Sequence, residues 1–420
     1  MKILKKILKP GSAAPALVAA DGDTAPDREK TLVEGIQKLY RRIYPAPPPF
    51  FYPEDKTEYL FKRVQKRNIT VYTEDDRAII LTNKSPHIKS ANRYPVFCIP
   101  GLAETRFVLD QALGNSFVDY LALNGFDVYV VELRGHGKSR QTRERYDWNV
   151  QTFLKYDIPA CLNRVLEESG QDRVLWVGHS MGGMLLLAYL IHAGLAVDTE
   201  LYDSNAIQAG VLVGSPVFFN QLSLIAFALL YRTSFLERLP FMPTSFLSNL
   251  LSMFGLVLDS PLTYHFWNYR NMEHKNKVLY LKDGLDNISQ GVMRDFMEYI
   301  LKGDFVSSDG KINYRENLYL IQKPLLIVSG SADPLATPES ANIIYDNISS
   351  QDRELRLFGT KGLMRRGGQT IKMKDRADYG HVDLTLGINS REDIWPYMLS
   401  WLRKRARVDG TEPDGEERIS

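Results

Sequence analysis

The stretch Val174-Leu175-Trp176-Val177-Gly178-His179-Ser180-Met181-Gly182-Gly183 constrains the fold more than any other part of the chain. Its first four residues are apolar and predict a buried strand. Met184 to Ile191 is almost wholly apolar and predicts a buried helix. Between them stands Gly178-His179-Ser180-Met181-Gly182, a G-x-S-x-G, which leaves room only for a sharp strand-to-helix turn. Ser180 then sits at the C-terminal end of the strand with its hydroxyl presented outward. A Cβ at position 178 or 182 would collide with neighbouring backbone in so tight a bend. The helix start directs free N–H groups and its positive end toward the serine, where negative charge develops in acyl transfer.

The rest of the chain has to supply a sheet around that strand. At 420 residues, 44% hydrophobic and 24% charged, it holds enough material for one large α/β domain with an insertion, or for two domains. A formal net charge of +2 gives no electrostatic case for nucleic acid as a partner. Cys98 and Cys161 both lie in apolar runs. They read as buried free thiols, the usage of a reducing compartment, and a cytoplasmic location is expected. No run approaches the ~18 uninterrupted apolar residues of a membrane span.

Met1 to Pro10 alternates Lys with Ile and Leu at helical spacing. Residues 1–9 read either as a short cationic helix in peripheral contact with anionic membrane or as a frayed basic terminus. A signal peptide fits less well, because Pro10, Gly11 and Pro15 interrupt a weakly apolar core. Residues 11–28 have the composition of a disordered segment, so 1–28 is taken as a basic, disordered terminus. Residues 29–67 form an extension: an amphipathic helix over 29–44, then a stiff linker from Pro45 to Pro49.

From residue 68 onward, strands and helices alternate. Ile69–Tyr72 and Ala78–Leu81 flank Glu74-Asp75-Asp76 as a hairpin. Buried strands follow at Val96–Ile99, Asp127–Val131, Val174–Val177 and Val211–Val213, then at Leu325–Val328 and Leu355–Phe358. Such alternation predicts an α/β fold whose mostly parallel sheet is covered by helices on both faces, with ligands at the strands' C-terminal ends. About a hundred residues separate the strands near 213 and 326, far more than an ordinary connection. They are rich in Phe, Leu and Met and punctuated by Pro240, Pro243 and Pro261. The expected layout is a core over 68–216, a helical cap over 217–322, a second core portion over 323–405 and a disordered tail over 406–420.

A serine hydroxyl needs a base, and the base needs an orienting acid. Of seven histidines, His381 stands in Asp378-Tyr379-Gly380-His381-Val382-Asp383, a loop just before the last helix. His179, inside the elbow, is expected to point away, and His136 to make structural hydrogen bonds. Asp333 follows the strand Leu325–Val328 in a turn and is preferred as the acid over Asp383, two residues from His381. The order Ser180, Asp333, His381 is that of a triad built on a nucleophile elbow. Two backbone N–H groups are the oxyanion-hole candidates: Met181, just after the nucleophile, and Leu102, after the strand Val96–Ile99.

These residues together resemble the α/β-hydrolase superfamily. The likeness covers roughly 68–405. It rests on the elbow, Pro100-Gly101-Leu102, Glu132-Leu133-Arg134-Gly135-His136-Gly137-Lys138-Ser139, Gly330-Ser331-Ala332-Asp333-Pro334 and Gly380-His381. It implies an eight-stranded sheet, a cap after the sixth strand, no cofactor and no metal. Pro100-Gly101-Leu102 and Gly380-His381-Val382-Asp383 look like esterases and lipases of the acid-lipase type. Phe107-Val108-Leu109-Asp110, Ser116–Leu121 and Gly125–Tyr129 look like polyhydroxyalkanoate synthases, which carry cysteine where this chain has Ser180. The basic insertion near 360–378 lengthens the family's acid-to-histidine spacing. The expected function is hydrolysis of a small lipophilic carboxylic ester through an acyl-serine. The alternatives are acyl transfer on the same scaffold and, remotely, a non-catalytic binding protein.

Overall fold

The computed structural model describes residues 64–86, 92–111, 115–253 and 263–406. The expectations for residues 1–28, the helix over 29–44, the proline-rich linker and the tail beyond residue 406 lie outside the described residues.

Ten strands form one sheet in the order β1-β2-β4-β3-β5-β6-β9-β10-β11-β12. They are β1 (Val64–Tyr72), β2 (Ala78–Pro86), β3 (Val96–Ile99), β4 (Val128–Glu132), β5 (Val174–His179), β6 (Ile207–Val213), β9 (Leu325–Gly330), β10 (Arg353–Phe358), β11 (Gly362–Arg366) and β12 (Gln369–Met373). A separate short ladder joins β7 (Phe241–Met242) to β8 (Ile288–Ser289). The strands from β4 through β3, β5, β6 and β9 to β10 run parallel. The hairpin β1–β2 joins them antiparallel through β4.

The inner strands are apolar at successive positions because both faces are covered. In β3, Phe97 and Ile99 enter one hydrophobic layer while Val96 and Cys98 enter the other. The principal helices are α1 (Phe117–Leu123), α2 (Ile158–Ser169), α3 (Met181–Gly194), α4 (Leu222–Thr233), α5 (Thr244–Met253), α6 (His274–Asp283), α7 (Gln290–Lys302), α8 (Pro338–Asn347) and α9 (Trp395–Ala406). Helix α3 is buried from Met181 to His192, which explains why its sequence has no polar face. Helix α2 buries Ile158, Cys161, Leu162 and Val165 and ends at Gly170, whose φ of 63° supplies the left-handed cap. Both cysteines are free and buried.

The family pattern implies eight strands, and the two additional ones come from the basic insertion after residue 360. It folds as the hairpin β11–β12 against the edge of β10. Gly367 and Gly368 both have positive φ, 56° and 77°, as the tight two-residue turn requires. The lengthened spacing between Asp333 and His381 is therefore absorbed at the sheet margin.

The chain between β6 and β9 contributes α4 to α7, with proline at 240 and 243 separating short elements. Part of its apolar content faces inward, as with Ala228 and Tyr231. Leu222, Leu230, Phe235 and Phe246 instead stand 67–84% exposed. Among the described residues no helix is long and apolar enough to cross a membrane.

The topology singles out one crevice. The chain leaves β3 toward β4 on one side and leaves β5 toward β6 on the other, so the connections part between β3 and β5. Ligand sites of open parallel sheets lie at such a point, beyond the strands' C-terminal ends.

Candidate active site

Ser180 ends β5 and opens α3 with φ 50° and ψ −117°, a conformation that side-chain-bearing residues rarely adopt. Strain of this kind costs on the order of 1–3 kcal/mol and persists only where surrounding structure imposes it. Here the imposition is visible. Ser180 N donates to Val213 O at 2.8 Å, and Ser180 O accepts from Gly183 N and Met184 N at 3.0 and 3.2 Å. Trp176 Nε1 donates to Gly182 O at 3.1 Å and ties the first helical turn to the strand.

Both elbow glycines are sterically required. A Cβ on Gly178 would lie 2.3 Å from Gly182 C, and one on Gly182 would lie 2.1 Å from Ile99 O. Both obstacles are backbone. Gly182→Ala is expected to destabilise the protein by about 3 kcal/mol or more, since the ends of β3 and β5 must separate to admit the methyl group. Thermal denaturation beside the wild type measures this.

The loop after β3 closes on the elbow from the other side. A Cβ on Gly101 would stand 2.9 Å from the Ser180 Cβ, so the Gly101–Leu102 backbone runs directly past the serine. Among the described residues neither Leu102 N–H nor Met181 N–H has a protein acceptor. Two backbone donors thus remain for an incoming oxygen.

His381 and Asp333 meet through Nδ1 and Oδ2 at 2.9 Å, both buried. Asp333 Oδ1 accepts from Leu335 N and Ala336 N at 2.8 and 2.9 Å, so the turn after β9 fixes the carboxylate. Gly214, with φ 57°, clears the space: a Cβ there would lie 3.3 Å from both Asp333 Oδ2 and His381 Nδ1. Burial pulls the His381 imidazolium down, but Asp333 first, then Glu104 and Asp383, more than offset it, and the group ends above its ordinary 6.5.

Asp383 does other work. Its Oδ2 accepts from Gly380 N at 2.9 Å and Asn271 Nδ2 at 2.8 Å, and its Oδ1 from Asn268 N at 3.2 Å. It fastens the His381 turn to the segment that precedes α6. Desolvation raises its pKa to about 6, held back by those donors.

His179 departs from the expectation that it points away. Its ring centroid lies 5.0 Å from that of His381, its Nδ1 is 2.7 Å from Glu104 Oε2, and its Nε2 is 3.3 Å from His381 O. A fully buried imidazole must find polar partners, and these lie at the site. His136 does make a local bond, Nδ1 to Arg134 O at 3.0 Å. Glu104 and Tyr280 join this cluster with almost no mark in the sequence. The only sign of Glu104 was an acidic residue three positions after Gly101, and Tyr280 carried none.

A charged cavity of about 590 Å³ opens beside the loop after β3. Lys84, Arg106, Asp110, Glu132, Lys138 and Asp286 help line it, whereas Ser180, Asp333 and His381 do not. Among the described residues no cluster of three or more His, Cys, Asp or Glu side chains is arranged to hold a metal ion.

Comparison with known proteins places this geometry in context. The haloarchaeal poly(3-hydroxyalkanoate) polymerase subunit PhaC of Haloferax mediterranei is 24% identical over 349 residues, which is 77% of this chain and 61% of that protein. The tear acid lipase-like protein of Mesocricetus auratus is 24% identical, over 72% of this chain and 86% of its own. Rat gastric triacylglycerol lipase is 29% identical, over 69% and 74%. Among solved structures, an esterase from Exiguobacterium antarcticum superposes with a TM-score of 0.50 at 17% identity, covering 80% of this chain and 99% of that one. That likeness speaks to the fold alone. The profile of the α/β hydrolase fold matches residues 94–361, well over half the chain. The protein belongs to the α/β-hydrolase family.

Proposed function

We propose that the protein is a serine hydrolase that cleaves carboxylic esters of lipophilic acyl groups through an acyl-serine intermediate. The observation that carries this reading is the buried Asp333–His381 hydrogen bond, 2.9 Å long, together with a serine held at positive φ on the elbow. In the proposed reaction Ser180 Oγ attacks the ester carbonyl and His381 Nε2 takes its proton. Asp333 holds the proton on Nδ1 and so keeps Nε2 a base. The N–H groups of Leu102 and Met181 receive the negative oxygen of the tetrahedral intermediate. On collapse, His381 returns the proton to the leaving alcohol. Water, deprotonated by the same imidazole, then resolves the acyl-enzyme.

The lipophilic substrate is supported by the insertion between β6 and β9, read as a cap: Leu222, Leu230, Phe235 and Phe246 present apolar surface there. The lipases among the relatives point the same way. The Haloferax mediterranei polymerase subunit, at 24% identity, favours acyl transfer to an alcohol as a second reading. A panel of p-nitrophenyl esters from acetate to palmitate tests the first, with rates expected to rise beyond the shortest acyl chains. Product analysis with an added alcohol separates the two: free acid supports hydrolysis, and a new ester as the main product supports transfer. Absence of turnover on every ester would refute both.

The pH dependence follows from His381. It must be neutral to accept the serine proton, and its folded pKa lies above 6.5. The acid limb of kcat/KM is therefore expected above pH 6.5, checked by a pH–rate profile. The linkage runs opposite to activity. A raised histidine pKa contributes stability that is fully present below the unfolded value and is lost as pH rises through the folded one. His381 thus contributes least to stability where it is catalytically competent.

A further inference from the structure

Glu104 is a buried carboxylate that the proposed reaction does not use, yet it bonds to the loop after β3, to His179 of the elbow and to α6. Its Oε2 accepts from Gly101 N at 2.7 Å and faces His179 Nδ1 at 2.7 Å. Its Oε1 accepts from Tyr280 OH of α6 at 3.0 Å. The residues between are a tight turn: Glu104 N donates to Gly101 O at 3.2 Å, and Ala103 sits at φ 61°. A non-glycine residue there is strained and needs external restraint. The restraint is the Glu104 carboxylate on one side and the Asp286 N donation to Ala103 O, at 2.7 Å, on the other. Leu102, whose amide is the second oxyanion donor, lies inside this turn.

Through His179 the same carboxylate reaches the histidine loop, since the His179 ring packs with its centroid 5.0 Å from that of His381. We infer that Glu104, together with His179, is a positioning residue that aims the Leu102 amide at the reacting oxygen and sets the His381 loop against the elbow, an inference that rests on the acyl-serine reading. A bare carboxylate beside an oxyanion would oppose the reaction. Three donors, from Gly101, His179 and Tyr280, disperse this one. The groups facing His381 are Asp333 from the turn after β9, Asp383 from its own turn, Glu104 from the loop after β3, and the His179 ring. The Glu104 charge favours the imidazolium, whereas its hydrogen bonds act on geometry, so two variants separate the effects.

Glu104→Gln keeps the size and the bonding pattern. Its oxygen serves Gly101 N and His179 Nδ1, and its amide donates to Tyr280 OH. Its kcat at the optimum is expected within about fivefold of wild type, with the acid limb of kcat/KM moved to lower pH by about half a unit. Glu104→Ala removes the clamp, and kcat is expected to fall about thirtyfold or more with KM within about twofold. A loss of kcat in Glu104→Gln as large as that in Glu104→Ala overturns the inference, because it would place the effect in the charge and not in the clamp. So does a wild-type kcat in folded Glu104→Ala, or a loss carried wholly by KM. If Glu104→Ala does not fold, Glu104→Asp, which keeps the charge but shortens the clamp, decides: a wild-type kcat there overturns the inference. Ser180→Ala in the same assay keeps the two ideas apart, because undiminished turnover there refutes the acyl-serine reading whatever the Glu104 variants do.

Discussion

Ser180→Ala is expected to lower kcat by about 10⁴- to 10⁶-fold on any ester the wild type hydrolyses, and to abolish labelling by a fluorophosphonate. In the proposed mechanism the size follows from the loss of the group that forms the covalent bond. Binding and the two backbone donors remain, which leaves a residual rate above that of water. The substitution does not relieve the backbone, because alanine keeps a Cβ at φ 50°. Ser180→Gly does relieve it. It is expected to be equally inactive and more stable than Ser180→Ala by about 1 kcal/mol, read from paired thermal melts. An equal melting temperature for the two variants would mean that the turn stores no strain. A rate loss under tenfold in Ser180→Ala would remove the serine from the chemistry.

How much of this site is legible in the sequence depends on how local each signal is. The elbow is local. Strand, glycine, serine, glycine and apolar helix follow one another, and the steric demand on Gly178 and Gly182 is set by residues within five positions or by the adjacent strand end. Asp333 and His381 are legible for the same reason, as polar residues in Gly-containing turns just beyond β9 and just before the final helical segment. Glu104 is not. Its partners His179 and Tyr280 lie 75 and 176 residues away, and nothing in a single sequence pairs residues over such distances.

The hairpin β11–β12 is a different kind of miss. Gly367-Gly368 between two five-residue strands is a hairpin signal. The density of Lys and Arg around it, however, reads only as a basic insertion. In the structure one of those charges is partnered from β11, next to the edge strand: Arg365 pairs with Asp346 at 2.7 Å and lies over the Tyr345 ring at 4.4 Å. Charged side chains are what an edge strand needs to avoid pairing with other chains. The insertion between β6 and β9 shows a third limit. Composition marks it as apolar, but which of its leucines and phenylalanines face outward is decided by helix packing.

Two of the carboxylates near His381, Asp333 and Asp383, allow a direct contest. Asp333→Asn is expected to lower kcat by about 10³- to 10⁴-fold with little change in melting temperature. The asparagine oxygen can keep the Leu335 and Ala336 N–H bonds, which leaves the amide nitrogen opposite His381 Nδ1. A donor there forces the imidazole proton onto Nε2, and the base can no longer accept from Ser180. Asp383→Asn should behave in the opposite way. Its carboxylate receives donors on both oxygens, from Gly380, Asn271 and Asn268, so an NH₂ in either place confronts an N–H. The expected result is a loss of about 2 kcal/mol of stability with kcat within about tenfold of wild type. The pH sense of that loss is also set. Asp383 has a raised folded pKa of about 6, so in the wild type stability falls as pH rises from its ordinary 3.8 toward 6. Asparagine cannot titrate, and the variant should lose this pH dependence. Should Asp383→Asn cost the activity while Asp333→Asn retains it, the acid of the site is Asp383, and the Asp333–His381 bond is structural.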